Sequence, residues 1–407
     1  MADYKGINVL RMKLAAKQIR VQTRYDYYEM KNRLTEFNIT MPREWQWLRE
    51  VLGWCTKAAD SIADRLVFRE FDNDTFDMNG IFNMNSRDVL FDSAVLSAVI
   101  SSCCFIYITA DETGFPRLQV IDGANATGII DPITMMLQEG YAILEKDPEK
   151  GTPTLEAYFI PGETVYYPAG ENPYSITNTA KYPLLVPVIY RPDARRPFGH
   201  SRISRACMNI QQAALRTLKR AEVSAEFYSF PQKYAVGLSE DTEIDKMRAT
   251  ISSFLSFTKD EDGDHPVLGQ FTQQSMTPYT DQIRMYAALF AGETGLTLDD
   301  LGFATENPSS AEAIKAAHEN LRLTARKAQR DFGTGFLNVG YVAASLRDDY
   351  PYERWQIYET IPRWEPIFEP DAGMMSGIGD AVTKINQVIP GYFGKRNLRD
   401  LTGIDAD

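Results

Sequence analysis

From Ile203 to Tyr228 the apolar residues recur at alternating intervals of three and four. At about 100° per residue, Ile203, Cys207, Ile210, Ala214, Leu218, Ala221, Ala225 and Tyr228 fall on one narrow stripe. That spacing belongs to a helix packed against other helices, and Ala214, Ala221 and Ala225 permit close approach. Arg205, Gln212, Arg216 and Lys219 fall on the opposite side, with Arg202 and Arg220 flanking them. The fold must therefore include an extended helical element with a basic face: Arg205, Arg216, Lys219 and Arg220.

The stretch that leads into this helix, Gly199-His200-Ser201-Arg202-Ile203, resembles a nucleophile turn only at first reading. A nucleophile elbow needs a second glycine two residues after the serine, so that strand and helix can pack around the strained turn. Ile203 stands there instead. Ser201 is expected to cap the helix through its hydroxyl, and a hydrolase using Ser201 is the weaker alternative.

Charge changes sign abruptly along the chain. Arg191 to Arg220 holds eight basic residues and one acid, whereas Leu238 to Val267 holds eight acids against three bases. The whole chain carries a formal net charge of −12 with a pI near 5.0. That balance argues against a broad basic surface wrapping nucleic acid, but leaves local contact with DNA open. Asp260, Glu261, Asp262 and Asp264 form an acidic cluster around Gly263. Counted from Asp260, an EF-hand would need glycine at position six and glutamate at twelve; His265 and Phe271 stand there, so a hairpin turn is expected.

With 407 residues, 44% of them hydrophobic, the chain can bury a substantial core in two or three structural regions. Cys55, Cys103, Cys104 and Cys207 have no CxxC spacing, which points to reduced thiols in a cytoplasmic compartment, without disulfides or zinc. The N-terminus lacks the apolar core of a signal peptide. Ser93 to Ala110 is an uncharged run of 18 residues, five of them Ser or Thr. Its length and its strand-forming second half suit a buried helix running into a buried strand better than a membrane span. His200, His265 and His318 are far apart, and no HExxH, GxxxxGK[ST] or GxGxxG occurs. No enzyme class and no cofactor is indicated; a chain without a P-loop is not an ATP-driven motor.

Helical spacing is also read in EWQWLREVLGWCTKAADSIADRLVF, after Pro42, with Trp45, Trp47 and Trp54 as core residues. Between about 104 and 190 short strands follow one another: CFIYIT, RLQVI, GYAIL, TLEAYFI and ETVYYP, broken by turn residues. The sheet with helices against it predicts an α+β fold. Further helices are expected at about 278–291 and from 310 to 346. The second has a Ser309–Glu312 capping box and glycines 333, 335 and 340 as bend points. QKYAVGL and FLSFTKDEDGDHPVLGQF suggest a small strand-rich module, and WQIYETI a late strand.

Three stretches together resemble a family. RRPFGHSRISRACMNIQQAALRTLKRAEVSAEFYSFPQKYAVGL is similar to the stem-entry region of portal proteins of tailed double-stranded-DNA bacteriophages, siphovirus type. NPSSAEAIKAAHENLRLTARKAQRDFG resembles the stretch after their second stem helix, and GDAVTKINQVIPGYFGKRNLRDLTGI their C-terminal helical pattern. The resemblance implies a wing at 1–200, a first stem helix at 201–231, a clip at 232–276 and a second stem helix at 277–293. A tunnel loop at 294–310, a long helix at 311–346 and a C-terminal wing or crown region at 347–407 would complete the chain. It implies a non-enzymatic homo-oligomeric ring, usually of twelve subunits, at one capsid vertex of the virion, assembled in the host cytoplasm. Double-stranded DNA would pass through it transiently. The terminase packaging motor, major capsid or scaffolding protein and a head-tail adaptor would be partners, with no membrane and no cofactor. Thr305, Glu306, Asn307, Ser309 and Ser310 are the channel-facing candidates, and the Asp260–Asp264 acids the partner surface of the clip. Another virion ring protein, a minor head or adaptor protein, is the alternative. These proteins often continue past the point where this chain stops.

Overall fold

The computed structural model describes residues 4–35, 49–229, 233–236, 267–270, 275–303, 316–368, 370 and 372–404. Its first part comprises α1 (Ile7–Tyr28), α2 (Trp54–Ala63), β1 (Phe68–Asp72), α3 (Met78–Asn83) and α4 (Arg87–Ser101). A strand-rich part follows: β2 (Cys103–Ala110), β3 (Pro116–Ile121), β4 (Ala126–Ile130), β5 (Leu137–Lys146), β6 (Pro153–Ile160), β7 (Glu163–Pro168), β8 (Tyr174–Thr177) and β9 (Leu185–Ile189). Then come α5 (Arg205–Ser229), β10 (Lys233–Val236), β11 (Val267–Gln270), α6 (Thr277–Thr294), α7 (Glu319–Arg347), β12 (Ile361–Trp364), α8 (Ala372–Val388) and α9 (Lys395–Thr402). The fold is α+β, as the strand and helix texture of the sequence required.

Every strand pairing among the described residues is antiparallel. β4 to β8 form a five-stranded meander in chain order, β2 sits between β3 and β9, and β1 pairs with β12. The uncharged run Ser93–Ala110 divides as its patterning demanded. Helix α4 ends at Ser101, Ser102 turns the chain at φ 90, and β2 starts at Cys103, buried over its first six residues. No described helix is long and apolar enough to cross a membrane.

The core is built on aromatic rings from elements far apart in sequence. Phe68 of β1 stacks on Phe91 of α4 with ring centroids 4.0 Å apart, and Phe91 meets Phe336 of α7 at 4.2 Å. Trp364 of β12 meets Phe68 edge-on at 5.3 Å. Helix α1 covers the meander through Leu10 and Leu14 against Tyr141 and Tyr158. The buried Glu139 fastens the start of that helix, accepting hydrogen bonds from the backbone N–H of Lys5 and Gly6 and from the Tyr158 hydroxyl.

Three expectations change. Arg49–Gly53 is not helical; helix α2 begins only at Trp54, after Gly53. Trp355–Ile361 is not a strand over its length: it opens in the 3₁₀ turn Arg354–Ile357, where Glu353 and Gln356 form a reciprocal cap, and the strand starts only at Ile361. The glycines of the long helix serve contact within a continuous helix: a Cβ on Gly333 would sit 2.8 Å from Pro362 Cγ, on Gly335 3.3 Å from Val188 Cα, and on Gly340 2.7 Å from Met78 Sδ. Trp45, Trp47, Pro42 and the Ser309–Glu312 capping box lie outside the described residues.

Candidate functional site

Helices α5 and α6 run antiparallel side by side. Ser204 Oγ meets Glu293 Oε1 at 2.9 Å, Thr217 Oγ1 donates to Gln282 Oε1 at 3.1 Å, and Ser224 Oγ lies 2.8 Å from Tyr279 Oη. Ala214 and Ala287 are fully buried, as small residues at a close helix contact must be. With 25 and 18 residues the helices extend about 37 and 27 Å. Beyond them β10 and β11 pair antiparallel, Lys233 opposite Gln270 and Val236 opposite Val267. The element is a helical hairpin tipped by a β-ribbon.

Its root is where the opening motif lies. Ser201 does not cap the helix. Its buried hydroxyl donates to Ile100 O and accepts from Ile203 N–H. Helix α5 starts four residues later, and Ser204 is its cap, its hydroxyl accepting from Cys207 N–H at 3.2 Å. His200 is engaged with Asp193 at 2.5 Å and approaches Arg196 at 3.5 Å. The structure therefore does not bring Ser201 and His200 together as nucleophile and base. Asp193's carboxyl is held below its ordinary range, first by the His200 ring and then by backbone N–H groups.

Arg202 is the root's buried cation. It donates through Nε to Ala58 O at 3.3 Å and through Nη2 to Thr294 O, the last carbonyl of α6. One side chain thus joins α2 to the C-terminal end of α6, where the helix dipole favours a positive charge. Burial pulls its pKa down, although guanidinium stays charged in proteins. Gln211, fully buried on α5, accepts from Cys55 N–H at 2.8 Å, and Trp54 packs on Phe290 at 5.5 Å. All four cysteines are free and buried, and burial raises each thiol. Among the described residues no three His, Cys, Asp or Glu side chains converge on a metal position.

The candidate basic face is divided. Arg205 and Arg220 are exposed, whereas Lys219 is only 2% exposed and Arg216 Nη1 donates to Thr35 O at 3.3 Å. The segment after α1 lies against this side of α5. Gln212 Nε2 donates to Arg33 O and Gln212 Oε1 accepts from Thr35 N–H. An open four-residue basic face is thus corrected to two exposed arginines at separate heights. The channel-facing candidates Thr305, Glu306, Asn307, Ser309 and Ser310, and the acids Asp260, Glu261, Asp262 and Asp264, lie outside the described residues. Spacing set Arg202 beside the basic side of the helix and did not single out Gln211, which flanks the apolar stripe, where a polar residue signals a buried backbone partner.

Comparison with known proteins adds the assignment. Residues 10–372 match the family described as "Phage portal protein, SPP1 Gp6-like". The portal protein of Mycobacterium phage L5 is 24% identical over 385 residues, covering 88% of this chain and 77% of that protein. That of Mycobacterium phage D29 is 26% identical over 393 residues, with the same coverage. Among solved structures, the chain is similar to one from the neck of a native gene transfer agent particle computed with C12 symmetry, at TM-score 0.44 and 13% identity, covering 95% of this chain and all of that one. Another, from the virion of a native gene transfer agent particle, matches at TM-score 0.44 and 12% identity, over 87% and 90% of the two chains. With its family profile matched from the first helix to the start of the penultimate one, the chain belongs to the SPP1 Gp6-like phage portal proteins.

Proposed function

We propose that this chain is a structural portal subunit: copies form a ring at one capsid vertex, and double-stranded DNA passes through the central channel. The observation that carries the reading is the antiparallel helical hairpin with its β-ribbon tip, standing on a mixed α/β body. Such a hairpin repeated around an axis makes a tube, and the body makes a flange around it. Within this reading α5 and α6 are the stem, β10–β11 belongs to the clip, and the residues from 294 to 310 supply the tunnel loop. The packaging motor, tail adaptors and capsid or scaffolding protein dock on the assembly. Twelve copies are expected, a symmetry also carried by the gene transfer agent neck. The virion is its location, after assembly in the host cytoplasm.

A conduit needs weak contact with its cargo. Each copy carries −12, so a ring repels phosphate over much of its surface, and isolated arginines or lysines supply only brief contacts. Tight binding would retain the DNA that has to move. Negative-stain imaging of the purified chain tests the reading. Flared rings with a central hole are expected; compact single copies at every concentration and ionic strength would overturn it.

A further inference from the structure

Helix α4 has opposite charge at its two ends. At its C-terminal end Arg24 Nη1 donates to Ser101 O at 3.0 Å. Arg20 stands one turn earlier on α1, and Arg205 opens α5. The loop before α5 closes on the same place, since Tyr190 N–H donates to Ser102 O and His200 N–H to Tyr190 O. Arg196, on that loop, reaches the His200 ring. Arg24 feels the repulsion of Arg20, Arg196 and Arg205, which adds to the effect of its burial. None of these four arginines makes an ion pair among the described residues, and Arg20, Arg196 and Arg205 are exposed.

The other end is acidic. Asp88 and Asp92 lie in the first two turns of α4, and Asp60 and Asp64 lie at the end of α2. Asp88 is paired with Arg87 at 3.0 Å and Asp60 accepts from the Tyr28 hydroxyl at 2.9 Å. Asp64 and Asp92 are exposed and make no ion pair among the described residues. Burial and neighbouring carboxylates raise both, despite Arg65 and Lys57 near Asp64. Along α4, Asp88 and Asp92 stand about 20 and 14 Å from Ser101, where Arg24 is bound. A single charge at each end would satisfy the helix dipole; several like charges at each end repel one another in an isolated copy.

We propose that these ends are the two halves of a head-to-tail contact between copies, the arginine end of one meeting the aspartate end of the next. The proposal rests on the ring reading. Copies at −12 repel on average, so a stable contact needs a local region of opposite charge. A contact between two different patches of one chain is heterologous, the kind that closes into rings. Arginine and carboxylate can pair there in bidentate geometry.

Charge reversal tests this on the full chain. One variant carries Arg20→Glu and Arg205→Glu, the other Asp64→Lys and Asp92→Lys. These residues are exposed, so thermal unfolding of the isolated copies should match the wild type. Sedimentation and negative-stain imaging read assembly at fixed concentration and low salt. Each variant alone is expected to assemble about tenfold or more weakly, and an equal mixture of the two to recover rings with copies alternating. Wild-type-like rings from either variant would overturn the proposal, as would a mixture that stays unassembled. Variants that assemble normally but lose retained duplex DNA would overturn it in favour of a nucleic-acid contact. Wild-type copies that never assemble would instead bring down the ring reading and this contact with it.

Discussion

At the scale of single residues, Gly199 has the least room for a side chain among the described glycines. Its φ of +73 lies in the left-handed region, and a Cβ there would stand 2.1 Å from Tyr190 O, the acceptor for His200 N–H. Gly199→Ala should cost about 3 kcal/mol, combining backbone strain with a clash that must move the β9–α5 connection. Gly114 has φ +82 but open space around it, so Gly114→Ala should cost only about 1 kcal/mol. Urea midpoints of the two variants separate these terms; equal losses would mean that the Tyr190 contact is unimportant. Asp300 gives a pH signature. Burial alone would raise its carboxyl, but the Thr297 N–H and hydroxyl and the His318 ring outweigh this and hold it low. A depressed folded-state pKa stabilises the fold above the unfolded value, near pH 4, and that contribution disappears as pH falls through the folded one. Asp300→Asn should therefore narrow the gap in urea midpoint between pH 7 and pH 3. An unchanged gap would remove Asp300 from the acid response.

At the scale of elements, the glycines of helices make predictions of opposite sign. Gly292 on α6 has nothing within 4 Å of its would-be Cβ, so Gly292→Ala should stabilise the isolated copy by up to about 1 kcal/mol through helix propensity. Gly333→Ala gains the same propensity but drives a methyl group against the Pro362 ring, which cannot swing aside. A net loss of about 1–2 kcal/mol is expected. Melting temperatures that move in opposite directions bear this out; a gain in both would show that β12 yields freely. Periodicity and strand-forming composition made α5, the Ser93–Ala110 helix and strand, and β3, β5, β6 and β7 legible; β4 and β8, with five and four residues, are too short to carry a clear repeat. It could not separate Ser201 from Ser204 as the cap, because they stand on either side of Ile203 at the head of the stripe and only the path past Ile100 decides. Nor could it show that Arg33 and Thr35 would close over Gln212 and Arg216, a contact between segments about 180 residues apart that leaves no local mark. Glycines 333, 335 and 340 read as bends because sequence shows their permissiveness but not their neighbours.

At the scale of the whole molecule, the chain order makes the α5–α6 hairpin an insertion. Helix α7 and strand β12 come after the hairpin, yet Phe336 and Trp364 complete the core begun by Phe68 and Phe91. The two ends of the insertion meet at its root, where Ser204 touches Glu293 and Arg202 donates to Thr294 O. Replacing residues 206–294 by a short Gly-Ser linker should therefore leave a body that folds on its own, as insertions with adjacent ends allow. It loses the packing of Trp54 on Phe290 and the Gln211–Cys55 hydrogen bond, so it should be less stable than the full chain by several kcal/mol. It should still melt in one cooperative step with near-ultraviolet dichroism from its clustered aromatics. A body with helical signal but no cooperative melt would mean that the hairpin contributes to the core itself. Arg202 distinguishes these cases further. In the full chain Arg202→Met should cost about 2–3 kcal/mol, because Thr294 O loses its buried donor. In the excised body that carbonyl is absent and the same substitution should cost clearly less. A root that only fastens the hairpin predicts this difference; an equal loss in both proteins would assign Arg202 to the body through Ala58.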